Sequence, residues 1–395
     1  MITFLTALTL LSHPEPDGPH PEGQWWSIDF WGLEIGQPIC ADTTQASIAC
    51  QFDVIDQSDI DRLHQDTVSK GAGDDDYYYE FQNGELTIYS QAEARNSFVC
   101  CDIQGPFNET STSSGERLSA ARFRLPEGSI IELMLLNDVT LHGSTTVGQA
   151  SSPYWRAFHE RGDVGPFETR SLSVDGFDRS VEIYSHRPDQ PTDIVFYLKD
   201  GLALPFLEGL RAYYGDQWNN LPNFALVGIE SGDVQTRSDE YLSQLTEDQE
   251  AYTRYRTIFS ERIAPQVGNT LNFQGDAARR VLVGQSNGAK WVLDYGLDTP
   301  NFASHIIAMS PAGRNLSAPS LSDEAYEGFE IFMSVGALEI ETFITGARFN
   351  RDLLREHGVK ITYAELPGGH SFSSWGPFFI EAFDQIVTPK PTTSN

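Results

Sequence analysis

The chain has 395 residues, 40% of them hydrophobic and 12% aromatic, a globular composition with enough apolar surface for more than one average domain. Its 56 acidic against 26 basic residues leave a formal charge of −30, so the sequence offers no basic stripe for nucleic-acid phosphates or an anionic membrane surface. Such acidity reads first as solubility, with attraction of a cationic substrate as the alternative.

In chain order, Met1 to Ser12 is mostly apolar but too short to span a bilayer as a helix. It suits the h-region of an export signal, although no basic n-region precedes it and no A-x-A site follows; an ordinary apolar N-terminus fits nearly as well. His13 to Gly23, rich in Pro, Gly and His, completes an unstructured leader over residues 1–23. No later run approaches transmembrane length, so no membrane span is expected. The four cysteines, Cys40, Cys50, Cys100 and Cys101, match no zinc spacing. The simplest pairing gives Cys100 and Cys101 one bond each to Cys40 and Cys50, which suits a periplasmic or secreted protein. Free buried thiols in a cytoplasmic protein would read the same way.

Residues 24–150 show short alternating segments: Tyr77–Phe81, Glu85–Tyr89, Ser97–Ile103, Ala120–Leu125 and Ile130–Leu136, with turns at Gln82-Asn83-Gly84 and Pro126-Glu127-Gly128. That spacing predicts an all-β sandwich. The small, polar stretch Gly143 to Pro153 marks the expected boundary. Over residues 165–388 the pattern changes. A hairpin (Ser171 to Tyr184, turning at Val174-Asp175-Gly176) precedes strands at Ile194–Leu198, Phe224–Ile229, Val281–Val283, Ile306–Met309, Phe329–Val335 and Ile361–Glu365. Helices are expected at Pro205–Tyr214, Glu247–Val267, Ala289–Tyr295, Glu341–His357 and Pro377–Ile386. The alternation predicts an α/β domain, a mainly parallel sheet with helices on both faces, and residues 389–395 are left as a tail.

The chemistry-bearing motif is Gly284-Gln285-Ser286-Asn287-Gly288, between a β-branched strand and an amphipathic segment. There Ser286 would occupy a strained strand-to-helix turn with its hydroxyl at the open end of the sheet, and side chains in place of the two glycines would collide with strand and helix. A serine hydroxyl needs a base oriented by a third group. Of the nine histidines, His370 has the best context, in the glycine-rich loop Leu366-Pro367-Gly368-Gly369-His370 after the last strand. The acid is expected after Phe329–Val335, as Glu339 in preference to Glu341; a glutamate starting a helix is also favourable to the helix dipole without any catalytic role. The order Ser, acid, His is that of α/β-hydrolases. Oxyanion donors would be the Asn287 N–H and the N–H of Gly201 or Leu202, after the strand that ends Lys199-Asp200-Gly201, unless Asp200-Gly201 is a plain turn.

With these segments in order, together with Arg237-Ser-Asp-Glu240-Tyr241, Asn350 and Trp375, the C-terminal part from about Phe167 to Val387 resembles the enterochelin-esterase-like branch of α/β-hydrolases. That branch includes siderophore trilactone esterases, esterase D-like enzymes and some feruloyl esterases. The resemblance implies Ser286 as nucleophile, His370 as base and Glu339 as acid, and a β-sandwich ahead of the hydrolase domain. It places Arg237 near the pocket, able to bind an anionic or catecholate group unless it pairs with Asp239 or Glu240. Trp375 is implied as a second substrate-binding residue. The elbow continues Gly288-Ala289, where many relatives have a second glycine.

The expected function is a serine carboxylic-ester hydrolase acting on a small-molecule ester, a siderophore lactone or another acyl ester, with no metal or organic cofactor. An acyltransferase on the same triad, or a non-catalytic binding protein on a hydrolase scaffold, are the alternatives.

Overall fold

The computed structural model describes residues 40, 50–52, 55–69, 77–90, 97–101, 103, 105–106, 108–126, 128–137, 140–148, 152–242, 249–313, 329–339 and 341–388. The expected leader (1–23) and tail (389–395) lie outside them. The chain forms two compact units. The first gathers residues 1–150 with the short segments 337–340 and 367–374; the second holds the remainder.

The first unit contains β1 (Cys50–Gln51), β2 (Tyr77–Gln82), β3 (Glu85–Ser90), β4 (Ser97–Cys101), β5 (Gly105–Pro106), β6 (Asn108–Ser111), β7 (Arg117–Arg124), β8 (Ile130–Asn137) and β9 (Thr140–Gly148). They make two antiparallel sheets, one ordered β1-β7-β3-β2 with β6 also on β7, the other β5-β4-β8-β9. The side-chain period of two puts Leu86 and Ile88 of β3, Ala121 and Phe123 of β7, and Ile131 and Leu133 of β8 into one core. The sandwich is therefore present. It is not all-β, however: α1 (Gln57–Ser69) lays Ile60 against Tyr89, Leu118 and Ala120, the opposite parity of β3 and β7. In a polar segment, Ile60 and Leu63 are too few to give a visible helical stripe. The Asn83-Gly84 turn has both residues at positive φ (54° and 78°), the backbone twist that joins adjacent antiparallel strands. The disulfide corrects the cysteine pairing: Cys40 bonds to Cys50. The two residues meet because Cys40 N–H donates to Gln51 O, beside β1.

In the second unit, β10 (Thr169–Val174) and β11 (Phe177–Ser185) form the hairpin, and β11 runs antiparallel to β13 (Phe224–Ile229). From β13 onward all neighbours are parallel: β12 (Ile194–Lys199), β14 (Arg280–Gln285), β15 (His305–Met309), β16 (Glu330–Gly336) and β17 (Lys360–Leu366). The order of this eight-stranded sheet is β10-β11-β13-β12-β14-β15-β16-β17. Strands β13 and β14 are buried almost throughout, as continuous Val/Ile/Leu runs covered on both faces require. The helices are α2 (Pro153–His159), α3 (Ala203–Tyr214), α4 (Val234–Tyr241), α5 (Gln249–Ile258), α6 (Ala264–Thr270), α7 (Asn287–Asp298), α8 (Glu341–Glu356) and α9 (Phe372–Val387). The single helix expected over Glu247–Val267 is interrupted by a π turn at Phe259–Ile263. The last helix begins ahead of its Pro377. Among the described residues no helix is long and apolar enough to cross a membrane.

Candidate active site

Strand β14 ends at Gln285 and α7 begins at Asn287, leaving Ser286 alone at the turn with φ 54° and ψ −122°. A non-glycine residue holds that region at a cost of about 1–3 kcal/mol and only where its surroundings over-determine it. They do so here. Ser286 N–H donates to Met309 O at 2.9 Å, and its carbonyl accepts from Lys290 N and Ala312 N, both at 3.2 Å. A Cβ at Gly284 would run into the Gly288 carbonyl and Ala289 N, and one at Gly288 would lie 2.9 Å from Lys199 Cβ. Gly284 is thus demanded by close backbone approach, and Gly288 by the Lys199 and Asp200 side chains packed against it. Ser286 is half-buried.

The carbonyl end of β12 lies beside that of β14. Asp200 and Gly201 both take positive φ (66° and 69°). Gly201 N–H donates to Ile229 O at 2.9 Å, which removes it from the two expected oxyanion donors. No acceptor within the described chain takes the Leu202 or Asn287 N–H, so these two remain open. Gly288 stands 3.1 Å, by its would-be Cβ, from Asp200 Oδ2, which brings the start of α7 against this loop.

Arg237 does not pair with Asp239 or Glu240. Its Nε and Nη2 donate to Asp200 Oδ1 and Oδ2 at 2.7 and 2.8 Å. Asp239 accepts instead from Gln235, and Glu240 takes a bidentate pair from Arg179 at 2.7 and 2.8 Å. The Asp200 pairing fixes the left-handed turn that precedes Leu202. Trp375 is 2% exposed, and its indole N–H donates to Ser310 Oγ at 2.8 Å.

Lys199, one residue before this turn, went unnoticed in the sequence. It is fully buried, with Nζ 3.1 Å from Tyr255 Oη and 3.3 Å from the centre of the Trp291 ring. Burial holds its amine well below the usual lysine range, with Asp200 and Glu240 opposing that shift. The signal was a lysine closing the apolar strand Ile194-Val195-Phe196-Tyr197-Leu198. On α7, Lys290 and Asp294 form a second buried pair one turn apart.

In the other unit, His370 Nδ1 lies 2.8 Å from Glu339 Oε2. The carboxylate is fully buried and the imidazole 16% exposed. A proton on Nδ1 shared with the carboxylate leaves Nε2 as the basic nitrogen. Glu341 is the first residue of α8. Among the described residues no group of His, Cys, Asp and Glu is arranged to hold a metal ion.

The family model described as "Putative esterase" matches residues 175–386, more than half of the chain. No curated protein matches the sequence. Among solved structures, enterochelin esterase from Shigella flexneri aligns with a TM-score of 0.60 at 15% identity, over 82% of this chain and 97% of its own. Ferric enterobactin esterase from Salmonella typhimurium aligns with a TM-score of 0.56 at 16% identity, over 78% of this chain and 97% of its own. The S. flexneri enterobactin esterase in the presence of enterobactin gives 0.57 at 14%, over 78% and 95%. At such identities the likeness is one of fold, and it extends beyond the hydrolase part.

Proposed function

The chain belongs to the esterase family, and from that premise we propose that it hydrolyses carboxylic esters through Ser286, His370 and Glu339. Ser286 Oγ attacks the ester carbonyl while His370 Nε2 takes its proton, and Glu339 holds the imidazole in the required tautomer and stabilises the imidazolium. The Leu202 and Asn287 N–H groups donate to the oxyanion of the tetrahedral intermediate. Collapse expels the alcohol, protonated by His370, and leaves an acyl group on Ser286. Water, activated by the same histidine, then releases the acid. The observation that carries this reading is the strained turn at Ser286, which leaves an adjacent backbone donor, the Asn287 N–H, unpaired.

Siderophore lactones are the first substrate class to try, given the fold shared with enterobactin esterases. Other acyl esters fit the same chemistry. The Cys40–Cys50 disulfide supports a periplasmic or secreted location. Release of p-nitrophenol from p-nitrophenyl acetate should fall about 10⁴–10⁶-fold in kcat for Ser286→Ala, with the fold intact. Undiminished turnover by that variant would end the proposal. A panel of cyclic siderophores, feruloylated sugars and short acyl esters would then rank the substrates.

A further inference from the structure

The segment that carries the acid and the segment that carries the base both belong to the β-sandwich unit. Leu338, immediately before Glu339, is 2% exposed, and its side chain completes the sandwich core with Leu86, Ile88, Ile103, Phe123, Ile131 and Leu133. Its N–H donates to Gly368 O at 2.9 Å, which ties the acid segment to the base segment. The base segment is in turn docked on the first residue of β8: Ile130 N–H donates to Pro367 O at 3.1 Å. At Gly368 a Cβ would lie 2.9 Å from the Ile130 carbonyl oxygen and run into Ser374 Oγ, so this approach of two backbones requires glycine. The turn that feeds β8 is itself held by Ser129 Oγ donating to Pro126 O at 2.7 Å.

We propose that the N-terminal β-sandwich is the mount of the acid–base pair, with Leu338 and the Pro367-Gly368 backbone as its positioning groups. The inference rests on the reading of Glu339 and His370 as acid and base. A leucine is needed at 338 because the anchor is burial: among the described residues of the acid segment, its side chain is the one placed in the sandwich core cluster. Two backbone hydrogen bonds then carry that fixed point from the core to the histidine loop. Neither Leu338 nor Gly368 touches the reacting atoms. Their effect acts through the geometry of the His370–Glu339 pair, where about 1 Å of misplacement costs on the order of 10²-fold in rate.

The test compares Leu338→Ala with Leu86→Ala, a cavity in the same core that lies on neither loop. Both variants are assayed below their melting transitions. Leu338→Ala should lose about 10–100-fold in kcat with KM within about 2-fold, Leu338→Met should recover most of that loss, and Leu86→Ala should keep kcat. Gly368→Ala, which leaves the sandwich core filled, should show the same loss in kcat and serves where Leu338→Ala fails to fold. Equal kcat in Leu338→Ala and Leu86→Ala, or an unchanged kcat in Gly368→Ala, would overturn the inference. Failure of the underlying reading is distinguishable: His370→Ala or Ser286→Ala would then retain activity, whatever the positioning variants do.

Discussion

The proposed nucleophile and the proposed base are built on opposite principles. Ser286 is fixed by neighbours close in sequence: a strand before it, a helix after it, and Gly284, which lets those elements approach. His370 and Glu339 stand 31 residues apart in segments tied to residues far away in sequence: Leu338 sits in the sandwich core, and Pro367 O accepts from the N–H of Ile130, the first residue of β8. Local strain places the first; long-range burial places the second. A motif can encode the first kind of site in five residues, whereas the second exists only after the chain has folded.

After the loss expected of Ser286→Ala, the largest effect probes the base side. Glu339→Gln keeps the size of the side chain but cannot stabilise an imidazolium, and kcat should drop by about 10³–10⁴-fold with KM little changed. A loss below about 10-fold would mean that histidine orientation comes from the loop backbone alone. Next, Arg237→Ala releases Asp200 and loosens the turn before Leu202. Its kcat should fall about 10–100-fold at nearly constant KM, because a misaimed oxyanion donor acts in the transition state. A raised KM at constant kcat would instead mark Arg237 as a substrate-binding residue.

Two smaller effects concern stability beside the nucleophile sheet. The folded-state pKa of Lys199 lies below its unfolded value, so the unfolded chain binds the extra proton between the two and stability rises with pH across that window. Lys199→Met should therefore stabilise the protein at pH 7 by on the order of 1–3 kcal/mol, with the gain vanishing above about pH 10.4, as followed by urea midpoints. Destabilisation at pH 7 would show that contacts with Trp291 and Tyr255 outweigh the cost of burying the amine. His186, stacked on Phe224, is pushed down to about 4 by burial and by Arg187. It stays neutral in the fold while the unfolded chain protonates near pH 6.5, so stability is lost as pH falls from about 6.5 towards 4. His186→Phe should flatten the urea midpoint over that range by a modest amount; an unaltered slope would refute the assignment.

The strands of the hydrolase unit were legible because each is a short apolar run between turn residues. The eight-residue helix α4 was not, since Val234-Gln-Thr-Arg-Ser-Asp-Glu-Tyr241 carries little apolar periodicity and its N-cap, Asp233, reads as loop chemistry. Helix α1 escaped for the same reason. At the site, Asp200-Gly201 was recognisable as a turn, but which of its N–H groups stays open depends on Ile229, a neighbour brought in by sheet pairing. Arg237 was offered Asp239 and Glu240 as partners because they are near in sequence, while Asp200 is near in space.

The amino-acid order by itself determined the alternation of strands and helices, the elbow at Ser286, and the order in which Ser286, Glu339 and His370, the proposed triad, follow one another. These depend on hydrophobic period and on backbone sterics within a few residues, which a linear chain already contains. Only the tertiary structure decided the Arg237–Asp200 clamp, the commitment of Gly201 to Ile229, the Cys40–Cys50 bond and the seating of Leu338 in the sandwich. Each of those is a contest among many chemically equivalent partners, and proximity in the folded chain selects the winner.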